Sequence, residues 1–183
     1  MRLFAIEHSP SEYRADFAVY GTTWLLMAGF LALFTPRDMH GAVAALALAG
    51  LAAWTLIEYA LHRFVLHGVR PFSGWHAEHH RRPTALICSP TLVSGSLIAT
   101  LVFLPALAIG GQWRGGGFSV GVLTGYLAYT LTHHATHHGR TNGAWLRHRR
   151  RRHAMHHGRS TQAGHYGVTS GFWDEVFGTG SAT

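Results

Sequence analysis

The sequence predicts an all-α integral membrane protein, with about four transmembrane helices and a cytoplasmic helical cap. Three observations carry that reading. Long apolar runs are free of charge, the arginines crowd onto one side of those runs, and histidines recur on that same side at helical spacings. The chain has 183 residues, 48% hydrophobic and only 13% charged, which suits a single domain.

The apolar runs set the elements. Residues 17–34 read "FAVYGTTWLLMAGFLALF" and residues 41–57 read "GAVAALALAGLAAWTLI", with apolar character continuing to Leu61 past Glu58 alone. Residues 92–109 read "LVSGSLIATLVFLPALAI", and residues 118–131 read "FSVGVLTGYLAYTL". A spanning helix needs about 20 apolar residues, with a range of about 17–25. The first three runs qualify, and the fourth has to tilt or begin in the glycine-rich turn "GGQWRGGG". The expected spans are 15–34, 41–61, 90–110 and 117–132, within one membrane domain covering 1–183. The regions 62–89 and 133–183 form the cap. A signal peptide is a poor reading of the first run, because its start is weakly basic and "FTPRDMH" follows instead of a small-residue cleavage site. A soluble bundle is disfavoured, since helices without charge must be buried all round.

Charge orients these spans. All 15 basic residues are arginine, the acids number 8, and the formal net charge is +7. With four spans both termini share a side, and the two opposite connections hold only Arg37 and Arg114. The bias toward the other side places the termini and the 62–91 loop in the cytoplasm, which would be the inner or plasma membrane's cytoplasmic face if the source is bacterial. The run Arg149 to Arg152 then holds its segment on that face, near anionic headgroups. Nucleic-acid binding through Arg147 and this run is not expected, because no recognition helix or aromatic-studded sheet accompanies it. Cys88 is the only cysteine, so neither an intrachain disulfide nor a thiolate metal cluster is available.

Histidine is the compositional outlier, at 16 residues, all but His40 on the cytoplasmic side. Four boxes stand out: His62 and His67 in "HRFVLH"; His76, His79 and His80 in "HAEHH"; an HxxxH pair in "THHATHH"; and His153, His156 and His157 in "HAMHH". Spacings of three and four put side chains on one helix face, and neutral imidazole ligates iron, zinc, copper and nickel. Ten such ligands exceed what one ion takes and suit two ions. The third box has two registers, His133 with His137 or His134 with His138. His148 and His165 fit outer or surface positions, and His8 and His40 carry no reading. Each ligand needs a partner on its other ring nitrogen. Glu58, Glu78 and Asp174 are candidates, the competing reading for the last two being a solvated acid or an arginine pair. Trp75, Trp145 and Trp173 are expected to anchor the cap at the interface.

The segments "EYALHRFVLHG", "GWHAEHHRRP", "YTLTHHATHHG", "HAMHHG" and "HYGVTSGFWDEVFGT" together resemble the fatty acid hydroxylase and sterol desaturase superfamily, over residues 54–179. The last segment is most similar to the fatty acid 2-hydroxylase branch. The resemblance implies His133 and His137 as the third box, spaced from Tyr129, and leaves His134, His138 and His165 as outer contacts. It implies a membrane di-metal oxygenase that hydroxylates a lipid acyl chain using O2 and two electrons, at C2 of a fatty acid or sphingolipid. Iron is the expected metal, and imidazole ligation lets purified protein carry zinc. Eukaryotic members often carry a fused cytochrome b5 domain for which this chain has no room, so a separate cytochrome b5-like or ferredoxin-like donor is expected. The alternatives are a carotenoid hydroxylase, which shares the early boxes but not "WDEVFGT", and a sterol or lipid desaturase. A membrane metal transporter is the non-enzyme alternative, and the spans offer few polar residues for its path.

Overall fold

The structure, a computed structural model, describes residues 6–140, 143–158 and 164–180. The expected cap region 133–183 is therefore described except at 141–142, 159–163 and 181–183. The described chain is helical: α1 (Pro10–Phe34), a 3-10 turn (Arg37–Met39), α2 (His40–Ala60), a π turn (Leu61–Leu66), α3 (Phe72–Arg81), α4 (Thr91–Ile98), a second π segment (Ala99–Phe103), α5 (Leu104–His138), α6 (Ala144–His157) and α7 (Phe172–Val176). Three helical runs are long and apolar enough to cross a membrane, namely Pro10–Phe34, Arg37–Leu66 and Thr91–His138. The chain is an integral membrane protein on that basis.

Local chemistry explains the ends of α1. Ser9 caps it: Glu12 N–H donates to Ser9 Oγ at 3.3 Å, and Ser9 N–H donates back to Glu12 Oε2 at 3.0 Å. Pro10 follows at the first helical position, where its missing N–H costs nothing. At the other end Pro36 forces Thr35 into extended geometry (φ −61°, ψ 130°), and the helix stops.

Where the sequence separates a third and a fourth span, the structure has one helical run that turns back at Gly111. That residue has φ 65° and ψ −174°, a region open essentially only to glycine. A methyl group at Gly115 would overlap the Ala106 carbonyl. In a straight helix those residues would lie about 13.5 Å apart along the axis, so the run is folded on itself.

The chain divides into two compact units, residues 6–54 with 88–127 and residues 55–87 with 128–180. In the first unit the helices meet through polar clips and close backbone contact. Trp24 Nε1 donates to Thr124 Oγ1 at 2.8 Å, and Tyr20 Oη lies 2.7 Å from Ser94 Oγ. The glycines at 117, 121 and 125 form a small-residue face on α5 against α2. A Cβ at Gly117 would come within 2.7 Å of the Val43 carbonyl oxygen, one at Gly121 would overlap the Ala47 carbonyl, and one at Gly125 would overlap the Trp54 side chain. Lipid offers no hydrophobic drive for helix pairing, so close approach through small residues supplies it.

The second unit holds the end of α2, the π turn, α3, the end of α5, α6, α7 and the segment between α6 and α7. It contains every one of the ten histidines predicted to be ligands.

Gly121→Ala forces backbone against backbone and should cost about 1–3 kcal/mol. Gly29→Ala, which faces open space, should be neutral or slightly stabilising. Thermal unfolding midpoints of the two variants in detergent check this pair.

Candidate metal centre

The HxxxxH spacing of His62 and His67 is wrong for one face of an α-helix, where residues five apart diverge by about 140°. The π turn over Leu61–Leu66 corrects it, because its i→i+5 pattern brings such residues to the same side. The two rings lie 5.4 Å apart, centroid to centroid.

On α3, His76 and His80 are one turn apart and share a face, while His79 points away from them. On α6, His153 and His157 share a face and His156 diverges. The structure uses this divergence to build two groups. His62, His67, His76, His80 and His156 form the first, and His79, His133, His137 and His153 the second; within each, one ligand atom per residue lies within 4.8 Å of all the others. His157 joins the second group at its edge, with Nε2 3.1 Å from His153 Nε2 and its ring 4.9 Å from that of His137. Each group thus takes one sequential pair, the outer two histidines of one HxxHH box and the fourth-position histidine of the other. His80 and His157 stack at 4.2 Å and 12°, linking the groups.

The residues fit metal ions on three counts. First, Nε2 atoms face one another at 2.8–3.2 Å in five pairs. Two imidazole nitrogens about 2.1 Å from one ion and at right angles are about 3.0 Å apart. Second, both ring nitrogens of buried His79 lack a hydrogen-bond partner among the described residues, as do Nδ1 of His153 and His157. Third, the rings are in ligand form. Burial, then the neighbouring imidazoles, push His79 down to about 2 and His80 and His157 to about 4. The same causes hold His76, His153 and His156 well below the ordinary histidine range, and burial lowers His67. Only neutral imidazole carries the lone pair that a metal needs.

The segment between α6 and α7 orients two of these rings. His62 Nδ1–H donates to the Tyr166 carbonyl at 2.6 Å, and His156 Nδ1–H donates to the Gly164 carbonyl at 2.7 Å. Both bonds fix the tautomer and free Nε2. His165 lies between these carbonyls with φ 57°, in the left-handed region. The acids grip the same segment through its amides. Asp174, fully buried, accepts from Tyr166 N–H at 2.8 Å, Gly167 N–H at 2.9 Å and Thr179 Oγ1 at 2.8 Å, with Arg152 Nη2 at 3.4 Å. Glu58 accepts from Val168 N–H at 2.6 Å, Thr169 N–H at 2.9 Å and the Thr169 hydroxyl. Hydrogen bonds to a charged group are each worth about 1.5–3 kcal/mol, so this segment is firmly set.

The remaining predicted residues fall elsewhere. His134 and His138 stack on each other at 4.9 Å, outside both groups. His165 is buried, and its backbone N–H donates to the Thr179 carbonyl at 3.0 Å. Glu78 pairs with Arg81 and with Arg82, the latter at 3.5 Å. Trp173 Nε1 donates to Thr55 Oγ1 at 2.9 Å, and Trp145 is exposed. Two contributors escaped the sequence reading, the carbonyls of Gly164 and Tyr166. Their only signal was the "HYGVTSGFWDEVFGT" segment as a whole.

The metal-free protein should lose stability as pH falls. The buried histidines titrate lower when folded than their unfolded value of about 6.5, so the unfolded chain binds more protons below that pH. Stability is present above about pH 6.5 and is lost progressively toward about pH 4. The unfolding midpoint of chelator-stripped protein should therefore fall between about pH 7.5 and about pH 5. A midpoint unchanged across that range contradicts neutral, buried rings.

Residues 47–179 match the family model described as fatty acid hydroxylase. A dihydroceramide fatty acyl 2-hydroxylase of Arabidopsis thaliana is 34% identical over 141 residues, covering 71% of this chain and 58% of that protein. A ceramide very long chain fatty acid hydroxylase of Saccharomyces cerevisiae is 36% identical over 147 residues, covering 71% of this chain and 36% of that one. The chain thus spans about half the length, or less, of these relatives. Among solved structures, the visible hydroxylase domain of full-length Scs7p superposes with a TM-score of 0.77 at 26% identity, over 95% of this chain and 67% of that one. The family match runs from the middle of α2 to Thr179, most of the chain and all of the histidine boxes, and the chain belongs to the fatty acid hydroxylase family.

Proposed function

We propose that this chain is an O2-dependent, non-haem di-iron lipid hydroxylase that acts at C2 of a fatty acyl chain, free or within a sphingolipid. One observation carries the reading: ten imidazoles converge in two groups in a chain whose relatives are named 2-hydroxylases and ceramide hydroxylases. His62, His67, His76, His80 and His156 hold one ion; His79, His133, His137, His153 and His157 hold the other. Turning the C2–H bond into C–OH is a two-electron oxidation that acid, base or nucleophile alone does not supply, and a pair of iron ions would supply the oxygen-dependent redox chemistry it requires.

The overall change balances as acyl C–H plus O2, two electrons and two protons giving C–OH and water. The electrons come from a cytochrome b5-like or ferredoxin-like donor. The chain's own residues do the positioning. Tyr166 and Gly164 hold His62 and His156 with Nε2 free, and burial keeps the histidines neutral. The lipid enters from the bilayer with its polar head at the interface. The apolar runs support four crossings, and the arginine bias then supports termini and histidine boxes in the cytoplasm. Imidazole also accepts zinc, so protein purified without added iron can carry it.

Expression in cells lacking 2-hydroxy lipids, followed by lipidomics, tests the reading. Wild type should generate 2-hydroxy acyl species, and His156→Ala should reduce them to background and lower metal content. Wild-type levels of product from His156→Ala would remove that residue from the ligand set. A changed carotenoid profile without 2-hydroxy lipids, or metal flux in vesicles without any oxidised lipid, would overturn the proposed activity.

A further inference from the structure

We propose that Asp174 and Glu58 are positioning residues for the first histidine group alone, acting through the backbone of residues 164–169. The inference rests on the two-group ligand reading and deepens it.

The argument starts from which rings the segment touches. Its two carbonyl contacts go to His62 and His156, and both rings belong to the first group. These two come from opposite ends of the chain's histidine boxes, one from the π turn and one from α6. The group closes only if both are held at once, and consecutive turns of a single short segment hold them. That segment has no helix or strand to fix its shape. Asp174 fixes its first half, taking the amides of Tyr166 and Gly167 on its two oxygens. Glu58 fixes its second half, taking the amides of Val168 and Thr169 on one oxygen and the Thr169 hydroxyl on the other. Four successive amides are thus held by two carboxylates.

The fit leaves no slack. A methyl group at Gly167 would overlap the Ser170 carbonyl and stand 3.1 Å from Asp174 Oδ2. Arg152 brings its guanidinium to Asp174 from α6, the helix that carries His156. Loosening either carboxylate frees the carbonyls of Gly164 and Tyr166, so the His62 and His156 rings lose their fixed tautomer and angle. Removing an outer partner of a metal-ligating histidine costs about 10–100-fold in metal affinity. Because both carbonyl contacts fall in one group, that loss falls on one ion.

Cobalt(II) titration of chelator-stripped protein in detergent, followed by visible absorption, tests this without any activity readout. Wild type should bind two equivalents. In Asp174→Asn one of the two should weaken by about 10–100-fold while the other is unchanged. His153→Ala disables the second group, and adding Asp174→Asn to it should weaken the single ion that remains. Equal weakening of both ions, or no weakening, would overturn the proposal while leaving the two-metal reading intact. A wild-type protein that binds no cobalt would overturn both. If Asp174→Asn does not fold, Thr169→Val decides. It deletes one hydroxyl donor to Glu58 and keeps the side-chain shape, so a smaller loss confined to the same ion supports the proposal and unchanged binding overturns it.

Discussion

Crowding of imidazoles is the constraint on which the second unit depends. Imidazoles crowded within a few ångströms of their neighbours resist taking up a second proton, because each added charge would be buried and would face others of the same sign. The rings are therefore neutral, and each then has one nitrogen that donates and one that accepts. A neutral ring packed against others of its kind needs something to decide which nitrogen is which. For His62 and His156 the deciding partner is a backbone carbonyl on the segment between α6 and α7. For the rings as a set, the lone pairs turned inward are what a metal ion satisfies.

Helix geometry distributes the rings. The outer two histidines of each HxxHH box lie one turn apart and stay together, while the inner one is rotated about 60° from the first and about 100° from the last, so each box serves both groups. The first group takes two rings from α3 and one from α6; the second reverses this. Two helices are thereby cross-linked through both groups, and the stacked His80 and His157 sit where the groups meet.

Much of this was legible in the sequence. The apolar runs predicted the helices, the glycine-rich stretch predicted the turn at Gly111, and spacing picked out the histidine boxes. The preference for His133 and His137 over His134 and His138 comes only from a family resemblance, since the spacing is identical in both registers. Three features were not legible. The π turn that reunites His62 and His67 depends on backbone hydrogen bonding that no side chain announces. The division of the boxes between groups depends on how α3 and α6 face each other. The carbonyls of Gly164 and Tyr166 are groups that every residue possesses, so nothing in their side chains marks them. Glu58 and Asp174 were singled out as partners for the rings, and the structure places them one link further away, on the amides of the segment that carries those carbonyls.

The central claim is that the ten histidines form two separate metal sites with a defined membership. Anomalous scattering from crystals of the iron-loaded protein, collected at the iron edge, tests it most directly. The account predicts two peaks, one within reach of Nε2 of His62, His67, His76, His80 and His156, the other within reach of His79, His133, His137, His153 and His157. A single peak, or a peak ligated by His134 or His138, would contradict it.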